Sequence, residues 1–250
     1  MIFYKTEDEL ETMDRANRLV HKVLDAVREA ARPGVSTQDL DLLAEEIIVA
    51  AGGRPAFKGY RGFPATLCVS LNDVIVHGIP SAKDLLREGD VVSIDCGVVL
   101  DGYFGDAAVT FPVGEVGAEV RRLIDITRQC LDDAVAQVKP QNRLGDVSAA
   151  VQRRAEGAGY GVVREFVGHG IGRSLHEDPQ VPNYGSPGYG RELKSGLVIA
   201  IEPMVTQGSW RVRIDDDGWT ARTEDGKLAA HFEYSVAVTE GGHRVLGVEE

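Results

Sequence analysis

Cysteine is scarce in this chain. Cys68, Cys96 and Cys130 are too few for a disulfide framework and too scattered for a Cys-x-x-Cys zinc module, a usage that fits a reducing compartment. Long apolar runs are missing as well: nothing approaches the roughly 18 consecutive apolar residues of a membrane span. The opening Met1-Ile2-Phe3-Tyr4-Lys5 lacks the basic region and apolar stretch of a secretion signal, so the expected location is the cytoplasm, without membrane contact. Positive charge is in deficit, with 27 Lys and Arg against 39 Asp and Glu. The resulting net charge of −12 argues against broad binding to a phosphate backbone. No Pro/Gly/Ser-rich linker divides the 250 residues, and we expect one domain spanning 1–250.

What the chain does have is acid in apolar surroundings. Asp95 ends Val91-Val92-Ser93-Ile94, Glu202 ends Val198-Ile199-Ala200-Ile201, and Asp106, His169 and Glu233 lie in short apolar or glycine-rich segments. An unpaired buried carboxylate costs several kcal/mol or takes up a proton. Arginine and lysine are rare in these strands, so the compensating charge is expected to be metal, and two divalent ions would balance four carboxylates. Asp101-Gly102 is a strong two-residue hairpin turn that would pair Leu100 with Tyr103, Gly97 with Asp106 and Asp95 with Ala108. Asp95 and Asp106 then become diagonal neighbours on one face, about 7 to 8 Å apart at the backbone. Gly97 is expected to leave open space opposite Asp106 for an ion pair. The same pattern also suits a surface hairpin with two solvated acids, and the turn alone does not separate the two readings.

Helical periodicity follows the Thr6/Glu9 capping signal up to Pro33-Gly34, and resumes from Ser36 or Thr37 to Gly52-Gly53. It returns over about 116–138 and 144–158, with short strands elsewhere. The chain also repeats. A shift of 107 carries Pro33, Asp39, Ala51 and Gly52 onto Pro140, Asp146, Ala158 and Gly159, and carries Leu86, Gly89, Val91, Ile94 and Asp95 onto Leu193, Gly196, Val198, Ile201 and Glu202. This suggests two related α+β halves, roughly 1–125 and 126–250; chance similarity between amphipathic segments is the competing account.

The motifs Cys68-Val69-Ser70-Leu71-Asn72, His77-Gly78-Ile79-Pro80, Ile94-Asp95, Gly105-Asp106, Gly168-His169-Gly170-Ile171-Gly172, Leu175-His176-Glu177-Asp178-Pro179, Ile201-Glu202-Pro203-Met204 and Phe232-Glu233 run in order over nearly the whole chain. In order and approximate spacing the set resembles type I methionine aminopeptidases. The resemblance implies the α+β pita-bread fold: two pseudo-twofold halves around a central antiparallel sheet, with helices on the outer face. It also implies two divalent ions, cobalt, manganese, iron or zinc. Asp95 would chelate one, Asp106 and Glu233 would bridge, and His169 with Glu202 would complete the other.

The implied activity is metal-assisted hydrolysis of the initiator methionine from nascent polypeptides whose second residue is small. Glu202 would shuttle a proton, His176 would stabilise the oxyanion, and His77 would contact the substrate amide. Tyr60, Phe63, Cys68, Leu175 and Trp219 fall where the family surrounds the methionine side chain. Leu175 replaces a common aromatic residue, Gly97 stands where some relatives carry threonine, and Tyr234 where histidine or asparagine is common. His21, His231 and His243 receive no catalytic role, with His231 a candidate neighbour of the ligands.

Two other readings compete. An Xaa-Pro aminopeptidase or prolidase would share fold and ligands, usually with an extra N-terminal domain. A binding protein that has lost its metal would contact the ribosome or a nucleic acid. The expected partner is the N-terminus of a nascent chain, with no specific nucleic acid, a ribosome contact left open, and the protein a monomer. The reading of Gly168–Gly172 as a phosphate loop is disfavoured, because its glycine spacing is wrong for the dinucleotide fingerprint.

Overall fold

Local signals account for where the helices start. The computed structural model describes residues 2–248. α1 (Glu7–Ala30) opens on a reciprocal cap in which Thr6 Oγ1 accepts from the Glu9 N–H and the Glu9 carboxylate accepts from the Thr6 N–H at 2.8 Å. Gly34, at φ 91°, turns the chain after it. α2 (Thr37–Ala50) repeats the device with Ser36 and Asp39. In the second half come α3 (Ala118–Val135) and α4 (Leu144–Gly157), the latter opened by Asp146 accepting from the Arg143 N–H at 2.7 Å.

Among the described residues nine strands form one antiparallel sheet around the Val91–Leu100 and Tyr103–Pro112 hairpin. Asp101 and Gly102 take φ of 51° and 83°, the left-handed pair that matches strand twist, and the register is Leu100 to Tyr103, Gly97 to Asp106 and Asp95 to Ala108. Leu67–Leu71 flanks Val91–Leu100. On the other side Glu233–Thr239, Val198–Ile201, Gly168–Gly170 and Glu177–Val181 follow in order.

Alternation along the strands divides the two faces. Val92, Ile94, Cys96, Val98 and Phe111 pack with the apolar sides of α1 and α2, while Ile199, Ile201, Val236 and Val238 pack with α3 and α4. Each fully buried aliphatic side chain contributes about 1.5–3 kcal/mol, so the helix-covered face supplies a large share of the stability. The opposite face carries Ser93, Asp95, Thr110 and Glu233, beside a further buried apolar cluster that includes Cys68, Val99, Val198 and Ala237.

The two halves match in backbone detail. The bridge Ser36 to Leu85 recurs as Arg143 to Glu192, and Gly89 at φ 90° recurs as Gly196 at φ 85°. The Leu86 N–H donates to the Val35 carbonyl as the Leu193 N–H does to that of Asn142. Each pair is separated by the 107 residues of the sequence repeat. Farther on the offset lengthens to 125, since the Val113 N–H bonds the Asp90 carbonyl and the Val238 N–H that of Leu197. The added residues form the strands Val212–Ile214 and Ala221–Thr223. At the longer offset Ala108 corresponds to Glu233, and the two are direct cross-strand partners, so the pseudo-twofold axis passes between their strands.

Candidate active site

Strand register gathers the acids. Cys68 pairs with Asp95, Asp95 with Ala108 and Ala108 with Glu233, and the pairing of Tyr234 with Ile201 brings Glu202 to the end of the same row. In the next row Gly97 pairs with Asp106, and His169 with Ala200, which in turn pairs with Ser235. Residues two apart on a strand share a face, so all five candidate ligands project from the face away from the helices. The small side chains Ala108, Ala200 and Ser235 separate them and leave room between.

The charged atoms converge. One ligand atom from each of Asp106, His169 and Glu233 lies within 4.8 Å of the others. His169 Nε2 is 3.7 Å from Glu202 Oε1 and 3.9 Å from Asp106 Oδ2. Burial pushes Asp95 up to about 7, partly offset by a hydrogen bond with the Asp106 carboxyl, and raises Asp106, Glu202 and Glu233 well above the carboxylate range. It holds His169 down to about 3, a neutral imidazole at any physiological pH. His169 Nδ1 donates to the Gly170 carbonyl at 2.9 Å, which leaves the Nε2 lone pair facing the carboxylates.

Asp95 Oδ1, Asp106 Oδ1 and Glu233 Oε1 are buried without a hydrogen-bond donor. Buried acceptors are normally satisfied. Several hard oxygens and one lone pair directed into one small space, with no donor to meet them, fit divalent cations. The glycines beside His169 serve strand packing: a Cβ on Gly168 would sit 2.3 Å from the Ala200 carbonyl oxygen, and one on Gly170 would sit 2.2 Å from that of Asp178. The segment is a strand between two others, which removes the phosphate-loop alternative.

All the singled-out side chains line one cavity of about 170 Å³: Asp95, Asp106, His169, Glu202 and Glu233 at its base, with His77, His176, Tyr60, Phe63, Cys68, Leu175 and Trp219 around them. His176 Nδ1 is 2.9 Å from the Tyr60 hydroxyl and its ring lies 4.2 Å from that of His169. His77 adopts φ 61°, an uncommon conformation for a side-chain-bearing residue, and its ring meets Phe166 and Trp219 edge-on. Burial lowers His77 to about 4 and lowers His176. Phe63 packs on Trp219 at 5.2 Å, and Leu175 is buried beside them. The lengthened second half is what delivers Trp219.

The structure corrects one expectation. The space over Gly97 is filled: a Cβ there would sit 2.5 Å from Phe57 Cε1 and 3.0 Å from Ala56 Cβ, so the glycine admits a ring that lines the cavity. Tyr234 points to the helix-covered side, where its hydroxyl accepts from Arg128 at 2.7 Å, and it takes no part in the cavity. Phe57 and Arg61 also line the cavity and were missed, since neither lies in a motif. His231 is fully buried, with Nε2 3.8 Å from Glu202 Oε2.

A family model for metallopeptidase family M24 matches residues 11–240. A methionine aminopeptidase of Clostridium acetobutylicum is 48% identical over 246 residues, covering 98% of both chains. The chain belongs to metallopeptidase family M24, among the type I methionine aminopeptidases. A crystal structure of the methionine aminopeptidase from Thermotoga maritima superposes with a TM-score of 0.98 at 47% identity, covering all of both chains. The fold of this M24 member is therefore the pita-bread α+β fold. Prolidase from Pyrococcus furiosus shares that fold at TM-score 0.79 and 24% identity, and the match covers 66% of its chain.

Proposed function

We infer that the carboxylate–histidine cavity is the centre at which this methionine aminopeptidase removes the initiator methionine from protein N-termini. One observation carries the reading: buried, donorless oxygens of Asp95, Asp106 and Glu233 open into the same cavity as three neutral histidines, His77, His169 and His176, and an apolar wall. Asp95, Asp106, His169, Glu202 and Glu233 would hold two divalent ions, of cobalt, manganese, iron or zinc. Such ions lower the pKa of bound water towards about 7 and polarise a carbonyl.

The protein's own groups do the rest. Glu202 is kept basic enough by burial to accept a proton and pass it to the leaving amine. The Tyr60 hydroxyl lies 2.9 Å from His176 Nδ1, and by donating there it would leave the imidazole proton on Nε2 to meet the developing oxyanion. Removing such a donor costs about 3 to 4 kcal/mol of transition-state stabilisation. His77, also neutral, orients the substrate amide. Phe63, Cys68, Leu175 and Trp219 receive the unbranched methionine side chain, which favours aromatic contact. Burial raises the Cys68 thiol well above its usual range, so it acts as a wall and not as a nucleophile. Phe57 narrows the site from the Gly97 side.

The test is hydrolysis of Met-Ala and Met-Gly peptides by purified protein loaded in turn with each metal, beside an Ala-Pro peptide. Methionine release is expected and Ala-Pro should be refractory; no methionine release with any metal would overturn the reading. We further propose one catalytic domain, a monomer acting in the cytoplasm on small second residues. No helix among the described residues is long and apolar enough to cross a membrane.

A further inference from the structure

Lys5 and Glu177 form an ion pair at 2.6 Å with both side chains almost completely buried, 4% and 6% exposed. The pair joins the segment before α1 to the residue that follows His176. Every strong bond of the Glu177 carboxylate is directed at one loop or at Lys5: Oε1 accepts from the Arg173 N–H at 2.8 Å and the Ser174 N–H at 3.2 Å, and Oε2 accepts from Lys5 Nζ. Lys5 is itself fixed, its Nζ donating to the Phe3 carbonyl at 3.1 Å and its backbone N–H to the Gly196 carbonyl at 2.7 Å. Gly172 makes the approach possible, because a Cβ there would meet Lys5 Cε at 2.4 Å.

A buried ion pair is a weak source of stability, since desolvating two charges offsets most of their attraction, whereas it fixes geometry strictly. Resting on the reading of His176 as oxyanion donor, we propose that Lys5 is a positioning residue: through Glu177 it holds the 172–177 loop so that His176 is aimed into the cavity. Arg173 reinforces the loop from outside, donating to Glu9 Oε1 and to the Tyr103 hydroxyl. The buried clasp sets the position of the residue adjoining His176, and the exposed one steadies the loop's other end.

The experiment compares Lys5→Met and Glu177→Gln with the parent enzyme and, in a second background, with His176→Ala, all loaded with the same metal and assayed on a Met-Ala peptide. Misplacing a reacting group by about 1 Å costs on the order of 100-fold. Each clasp variant should therefore lose roughly 10- to 100-fold in kcat, with KM and bound metal within about twofold of the parent. The amides of Arg173 and Ser174 should also lose hydrogen-exchange protection. In the His176→Ala background the same substitutions should cost little more, because the group they position is gone. Unchanged kcat with unchanged exchange, or equal losses in both backgrounds, would overturn the proposal. Glu177→Gln keeps the side-chain shape and serves if Lys5→Met does not fold. If His176→Ala alone leaves kcat intact, the oxyanion reading falls, and the exchange of Arg173 and Ser174 still decides whether the clasp orders the loop.

Discussion

Glu202 lies between two imidazoles, His169 Nε2 at 3.7 Å from one oxygen and His231 Nε2 at 3.8 Å from the other. Burial lowers both rings to about 3, so neither supplies a positive charge. His231 Nε2 has no hydrogen-bond partner, although the main chain of His231 is fixed to Thr110 in both directions, at 2.9 and 2.6 Å. This imidazole stands where a carboxylate-orienting group belongs, and such groups are worth 10- to 100-fold in metal affinity. His231→Ala is therefore expected to weaken metal binding by about tenfold or more in a competition titration against a chelator. Glu202→Gln keeps the shape but removes both the charge and the proton acceptor. We expect it to lower kcat by about 100-fold or more, the usual contribution of a general base, and to lower metal occupancy measured by elemental analysis.

At the scale of single elements, the hairpin shows what a strand sequence exposes and what it hides. Asp101-Gly102 dictates its own φ values, and alternation then fixes which face Asp95 and Asp106 share, so this part of the site was legible from adjacent residues. The cap at Thr6 was legible for the same reason, whereas at the second helix the sequence narrowed the start to Ser36 or Thr37 without naming its Ser36–Asp39 cap. Gly97 misled because its partner, Phe57, lies outside the hairpin and no local pattern announces the contact. Lys5 and Glu177, 172 positions apart, were equally silent, whereas Trp219, in the turn between the added strands Val212–Ile214 and Ala221–Thr223, was found only through the family resemblance. Restoring a side chain at Gly97 tests the contact. Gly97→Thr should cost about 1–3 kcal/mol through overpacking, seen as a fall of roughly 2–4 °C in Tm per kcal/mol for a domain of this size. Adding Phe57→Ala should recover part of the loss; an unchanged Tm for Gly97→Thr alone would mean the ring yields freely.

For the whole molecule, the site is a pH-dependent strain that the helix-covered core tolerates. Four carboxyls with raised folded-state pKa values retain protons that the unfolded chain has already lost, so between the ordinary carboxylate range and their folded values the native state binds more protons and stability falls as pH rises. His77, His169 and His231 act in the opposite sense: their folded values of about 3 to 4 lie below the ordinary 6.5, so they destabilise the fold only as pH falls below that value. Above about 6.5 the histidine effect is spent; the Asp95 share ends near 7, where that carboxyl ionises in the folded protein, and Asp106, Glu202 and Glu233, raised well above the carboxylate range, carry the decline for as long as they keep their protons. Metal-free protein should accordingly lose thermal stability as pH is raised from about 6.5 towards 8. Divalent cations should reverse the loss by binding the ionised form, which only the folded state assembles. The measurement is Tm against pH in chelator and in excess metal. Parallel curves would mean that the four carboxyls are not held together against their charge, and a gap that widens with pH is the outcome this geometry requires.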